Sequence, residues 1–336
     1  MMKERILFLD MLRLLACLMV ITMHAPLPGQ GADGLVLSSI SYFTAPCIGL
    51  FFMVSGALLL PVPEHEDTFT FVRKRLTRVV GPTLCWTLFY MMTYSGFSVT
   101  TFLSVPFSAQ GHRFLWFMYT LVGLYLLAPI LSAWLRHASA KEQLFYLSLW
   151  GISLCYPLLE QVVIINQTAT GILYYFTGYA GYFLLGYFLK NHGEYIKMGY
   201  AAALFVVAAC VPVFVKLSGM EVNFYRVFWY QSVFVVLMCL FWWKAAQWLA
   251  GRITLPDSVT RWVILISNLS FGIYLSHLYF MRGVLWELDI IRSIDSCLLQ
   301  TAVIVGLTFL LSFLASWLLA FLPKSQYLVG YHHKRR

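Results

Sequence analysis

Apolar runs of membrane-spanning length recur along the whole chain, separated by short polar stretches. A bilayer core asks for about 17–25 apolar residues per helix. On that measure the pattern predicts about ten transmembrane helices, near residues 5–24, 39–62, 79–97, 114–133, 144–160, 173–189, 198–217, 227–249, 262–281 and 298–322. A Gly/Pro loop, PLPGQGADG, follows the first run. A charged loop, EHEDTFTFVRKRLTR, leads into the third, and a basic tail ending HHKRR closes the chain. The expected fold class is all-α: a polytopic integral membrane protein, with residues 1–336 forming one transmembrane domain and no separate soluble domain. No internal repeat stands out, which weakens a transporter built from inverted repeats.

The first run, RILFLDMLRLLACLMVITMHAP, departs from the others because it carries Asp10, Arg13 and His24. A charge near the middle of a membrane helix costs at least about 2.5–3.5 kcal/mol, so it needs a partner or a role. Arg13 and His24 are eleven positions apart, about three turns and roughly 16 Å along a helix, which puts them on one face. Asp10 lies one turn before Arg13, close enough to neutralise it. Lys3 and Arg5 ahead of an apolar run also fit a signal peptide. The charges inside the run and the lack of a small-residue cleavage site favour a retained helix.

Composition narrows the class. Hydrophobic residues make up 60% of the chain and charged ones 11%, too few to coat a soluble protein of this size. The net charge of +9 does not form a nucleic-acid-binding patch. Seventeen of the 23 Lys and Arg fall on one side of the ten-helix arrangement and five on the other, with Arg13 inside the first span. The positive-inside rule then places both termini in the cytoplasm. The cysteines, seven in all, are scattered through apolar runs without metal-ligand spacing, so neither structural disulfides nor a metal site is expected.

Four groups of residues could carry chemistry. Asp10, Arg13 and His24 read either as a helix-joining ion pair with an interfacial histidine or as a site containing a general base, since imidazole titrates near neutral pH. Arg73, Lys74, Arg75 and Arg78 read as a topology signal in contact with anionic lipid, or as a phosphate grip in which Arg75 and Arg78 share a face. FLWFMYTLVGLYLLAP, with Trp116 and the preceding His112 and Arg113, suits an interfacial aromatic belt. ISNLSFGIYLSH sets Ser270, Tyr274 and His277 on one face, as interhelical hydrogen-bond glue or as part of a site. Glu160, Asn166, Glu221 and Glu287 fall at outer helix ends, where a solvated role is the default. No Gly-rich phosphate loop or GxSxG elbow is present.

Taken together, these stretches resemble the acyltransferase-3 family of integral membrane O-acyltransferases of bacterial surface glycans. FLDMLRLLACLMVITMH is similar to the family's first-helix signature, here Arg13 and His24. APCIGLFFMVSG resembles its second helix, ending at Ser55 and Gly56, and FVRKRLTRVVGP its Arg-x-x-Arg element, here Arg75 and Arg78. FLWFMYTLVGLYLLAP and LSFGIYLSH are similar to its fourth-helix and late-helix patterns, including Trp116, Ser270, Tyr274 and His277. The size and the segment YYFTGYAGYFLLGYFL look most like the branch that includes the O-acetyltransferase of enterobacterial common antigen. The soluble hydrolase-like domain of some relatives is absent from the pattern.

The resemblance implies transfer of an acetyl group from cytoplasmic acetyl-CoA, as co-substrate, to a sugar hydroxyl of a lipid-linked or surface glycan at the bacterial inner membrane. It implies no metal and no nucleic-acid partner, and it leaves the oligomeric state open. His24 would serve as base or acyl carrier, with Arg13 and Asp10 beside it. Arg75 and Arg78 would bind the donor, and Trp116, Ser270, Tyr274, His277 and Ser55 would bind substrate or support the site. The alternative is a proton-coupled transporter or exporter using Arg13 and His24.

Overall fold

The computed structural model describes residues 5–27, 34–107, 115–161 and 171–332, and among these there is helix and turn but no strand. The longer helices are α1 (Leu7–His24), α2 (Gly34–Thr44), α3 (Pro46–Leu59), α4 (Thr68–Tyr90), α5 (Trp116–Leu135), α6 (Ala140–Ser153), α7 (Ala180–Asn191), α8 (Met198–Leu217), α9 (Val233–Arg252), α10 (Asp257–Leu278) and α11 (Cys297–Leu319).

Among the described residues, seven helical stretches are long and apolar enough to cross a membrane: α1, Val36–Leu59 across α2 and α3, α5, α8, α9, Asp257–Glu287 including α10, and α11. The other three expected spans are helical but differ in kind. α4 has 23 residues, yet its first turns hold the charged stretch. That stretch, expected as a loop, is helix from Thr68 onward because Asp67 caps it, accepting a hydrogen bond from the Thr70 N–H at 3.0 Å. α6 and α7 have 14 and 12 residues, roughly 21 and 18 Å of helix against a hydrocarbon core of about 30 Å.

The chain divides into two compact units, each drawn from separated stretches. The first comprises Met1–Met23, Ala32–Leu60 and Ala133–Ile264; the second comprises His24–Gly31, Pro61–Ser132 and Leu265–Arg336.

The first unit is organised on α3 and α7, which touch backbone to backbone. A Cβ at Gly56 would fall on the Phe183 carbonyl, and one at Gly186 on the Met53 carbonyl. In lipid there is no hydrophobic gain between helices, so close approach at small residues supplies the packing energy. Lys190 of α7 donates to the Ala57 carbonyl near the C-terminal end of α3 at 2.8 Å, satisfying a group that the helix itself leaves open. Ser139 and Glu142 form a reciprocal capping box at the start of α6.

In the second unit α10 and α11 meet where Gly272 admits the Ser316 side chain. After α11 the short helix Gln326–Val329 turns back to α4, where the Trp86 indole N–H donates to the Leu328 carbonyl at 2.9 Å.

Candidate active site

His24 ends α1, and His277 sits one residue before the end of α10. The second unit stacks their rings, with centroids 5.8 Å apart and planes inclined by 30°. His277 is 2% exposed. Its Nδ1 lies 2.5 Å from the Tyr274 carbonyl oxygen. A carbonyl only accepts, so Nδ1 carries the hydrogen and Nε2 keeps the lone pair. That Nε2 is buried and has no hydrogen-bond partner among the described residues. The Tyr274 ring lies 5.6 Å from the His277 ring and 5.3 Å from Phe117 of α5. Candidates from two distant stretches, His24 from one and Tyr274 with His277 from the other, therefore share one place.

Sequence reasoning missed the cation of this site. α10 does not end at Leu278 but passes into a π-helical turn, Tyr279–Val284, that carries Arg282. The Arg282 guanidinium lies within Coulombic range of both histidines and of Tyr90 and Tyr94, and over the Trp286 ring at 5.2 Å. Five residues along a regular α-helix turn a side chain roughly 140° away. The hydropathy pattern therefore assigns Arg282 to an outer loop, whereas wider π turns, frequent at functional sites, redirect side chains. The sequence signal for it is a lone arginine inside an apolar continuation of the helix.

A second π turn, Met91–Ser95, extends α4 beside the first. The Tyr90 hydroxyl donates to the Leu275 carbonyl at 2.7 Å, and Phe89 and Tyr279 pack edge to face at 4.9 Å. A Cβ at Gly283 would come within 2.5 Å of the Tyr94 hydroxyl. The arginine-bearing turn is thus braced by tyrosines of α4.

Other candidates hold simpler places. Ser270 donates back to the Ser267 carbonyl at 2.8 Å within α10, and Ser55 to the Phe51 carbonyl at 2.8 Å within α3. Trp116 opens α5 with its ring 6.5 Å from Phe117. Asp10 and Arg13 are on α1 in the first unit. There both oxygens of Asp10 accept from Arg5, at 2.7 and 2.9 Å. Sequence spacing pairs Asp10 with Arg13; the fork described at its carboxylate comes from Arg5. His112, Arg113 and Asn166 lie outside the described residues.

At the start of α4 the residues of the basic cluster take different places. The Arg75 guanidinium lies over the Phe71 ring at 5.5 Å. Lys74 and Arg78 instead line a cavity of about 510 Å³ together with Thr77 and the C-terminal residues Gln326, Tyr327, Gly330, Tyr331 and His332. Lys74 also donates to Glu66 at 2.8 Å, and that bond holds the Glu66 carboxyl below the usual range. From Arg78 to Tyr90 is twelve residues of α4, roughly 18 Å.

Two of the outer-end acids form ion pairs, and the third is exposed at a cavity mouth. Glu160 pairs with Arg226, and Glu287 with Arg292 at 2.7 Å. Glu221 lines an apolar cavity of about 890 Å³ in the first unit.

A family model described as an acyltransferase domain, that of the acyltransferase-3 family, matches residues 6–321. No curated protein and no solved structure gives a significant match.

Proposed function

The chain belongs to the acyltransferase-3 family and is a multi-pass membrane acyltransferase, and on that premise we propose that it moves an acetyl group from acetyl-CoA to a hydroxyl of a bacterial surface glycan. The observation that carries the reading is the His24–His277 stack with Arg282 alongside. Transfer from a thioester to an alcohol is served by a base for the hydroxyl and a fixed positive charge for the oxyanion.

The acceptor hydroxyl gives its proton to the His24 imidazole as its oxygen attacks the thioester carbonyl carbon. The carbonyl electron pair moves onto oxygen, and Arg282 stabilises the resulting oxyanion. Collapse breaks the carbon–sulfur bond and restores the carbonyl. The departing thiolate recovers the proton from His24, leaving an ester and free thiol. His277, with Nδ1 bound to Tyr274 and Nε2 free to accept, holds the His24 ring in place and is a second acceptor for the proton.

The donor's phosphates bind Lys74 and Arg78, with Arg75 adding charge nearby. A thin pantetheine arm suits the roughly 18 Å of α4 between that cluster and the tyrosines beside Arg282. The Lys/Arg bias supports cytoplasmic termini and an inner-membrane location, so donor phosphates meet the protein from the cytoplasm. The glycans of the enterobacterial common antigen class are the first acceptors to try.

The test is mass spectrometry of surface glycans from cells with and without this chain. An acetyl mass increment that depends on the chain is expected. Identical glycan masses in the two strains would refute the acceptor class.

A further inference from the structure

The C-terminal residues, which the sequence offers only as a basic tail, form a hook fitted to α4. Ser325 is completely buried, and its hydroxyl lies 3.1 Å from the Ala320 carbonyl and 2.8 Å from His332 Nδ1. Leu328 is tied to Trp86 through its carbonyl. Tyr327 lies against Gly81, where a Cβ would approach its ring to 3.0 Å. Gly330 then takes φ +70°, a left-handed conformation that glycine adopts without strain. This reversal brings Tyr331 and His332 to the cavity shared with Lys74 and Arg78.

We propose that the hook completes a binding site for the 3′-phosphorylated ADP end of a coenzyme A thioester. The proposal rests on the acyl-transfer reading above and adds the C-terminal hook to the donor site. Lys74 and Arg78 neutralise the phosphates. The Ser325 hydroxyl donates to His332 Nδ1, the nearer of its two partners, so that Nε2 carries the hydrogen and donates it to a phosphate oxygen. Tyr327 and Tyr331 supply aromatic faces for the adenine. The cavity, about 510 Å³, falls in the usual range for small-molecule sites. An anionic lipid headgroup offers the same phosphate chemistry, but it has no flat base for the two tyrosines to flank.

The test uses the full chain in nanodiscs of zwitterionic lipid, titrated calorimetrically with adenosine 3′,5′-bisphosphate. Binding is expected, and His332→Ala and Lys74→Ala should each weaken it by about tenfold, as expected for hydrogen bonds to a charged group. Exchanging a third of the lipid for phosphatidylglycerol should leave the affinity unchanged. Wild-type affinity in both variants overturns the proposal, as does displacement of the nucleotide by the anionic lipid. If both variants bind normally while acetyl transfer persists, the hook is excluded and the reaction stands. If the nucleotide binds through these residues but no acetyl is transferred, the site stands and the reaction falls.

Discussion

His24 and His277, from opposite ends of the chain, stack with ring centroids 5.8 Å apart. The Nε2 of His277 is buried there with no hydrogen-bond partner among the described residues. A buried acceptor left unmatched costs about 1–3 kcal/mol, a cost that a proton or a substrate hydroxyl arriving at the pair would relieve. Replacing His277 by Gln should therefore lower turnover by about 10²-fold, within the span typical of general acid–base groups. Donor affinity should hardly move. The measurement is kcat for acetyl transfer beside calorimetric donor binding; unchanged kcat would reduce His277 to packing.

Arg282 makes a separate prediction, because a charge aimed at a developing oxyanion acts in the transition state alone. Arg282→Gln should lower kcat by about 10²–10³-fold with little change in KM. Arg282→Lys should recover only part of the loss, since an ammonium lacks the planar fork that also stacks on Trp286. Steady-state kinetics of the two variants decides the matter, and a KM effect without a kcat effect would assign Arg282 to binding.

The α3–α7 contact predicts a loss of stability without chemistry. Gly186→Ala forces a methyl group onto the Met53 carbonyl, so the helices must part. Overpacking of this kind costs about 1–3 kcal/mol. A lowered melting temperature in detergent is expected, and an unchanged one would mean that the helices have slack.

Much of this organisation is legible from sequence, and the exceptions have physical causes. The apolar run at 198–217 is α8 to the residue, because a polar boundary flanks each end. The start of α4 is hidden because Arg73, Lys74, Arg75 and Arg78 depress hydropathy, while the deciding signal is one capping side chain, Asp67. Tyr274 and His277 are legible as a polar face, but that the face meets His24 is a tertiary fact. Arg282 is invisible to 3.6-residue periodicity since its turn is π-helical. The hook depends on Gly330 and on a hydrogen bond from Trp86, neither of which hydropathy weighs.

Glu66 competes with any anion for Lys74. Its carboxyl is held below the usual range by the Lys74 hydrogen bond, so the pair is fully formed above the ordinary carboxylate pKa. It is lost only as pH falls through the lowered value. Across neutral pH the competition is therefore constant. Glu66→Gln should tighten adenosine 3′,5′-bisphosphate binding by about two- to fivefold at low salt, the range of an exposed ion pair. Weaker binding in this variant would show that Glu66 orients Lys74 instead of competing for it.

The most direct measurement is transfer of radiolabel from acetyl-CoA to an isolated surface glycan by purified chain in nanodiscs, wild type beside His24→Ala. Label should enter the glycan with wild type and fall by at least about 10²-fold in the variant, with both proteins folded and both binding adenosine 3′,5′-bisphosphate. Equal labelling by the two proteins would contradict the account.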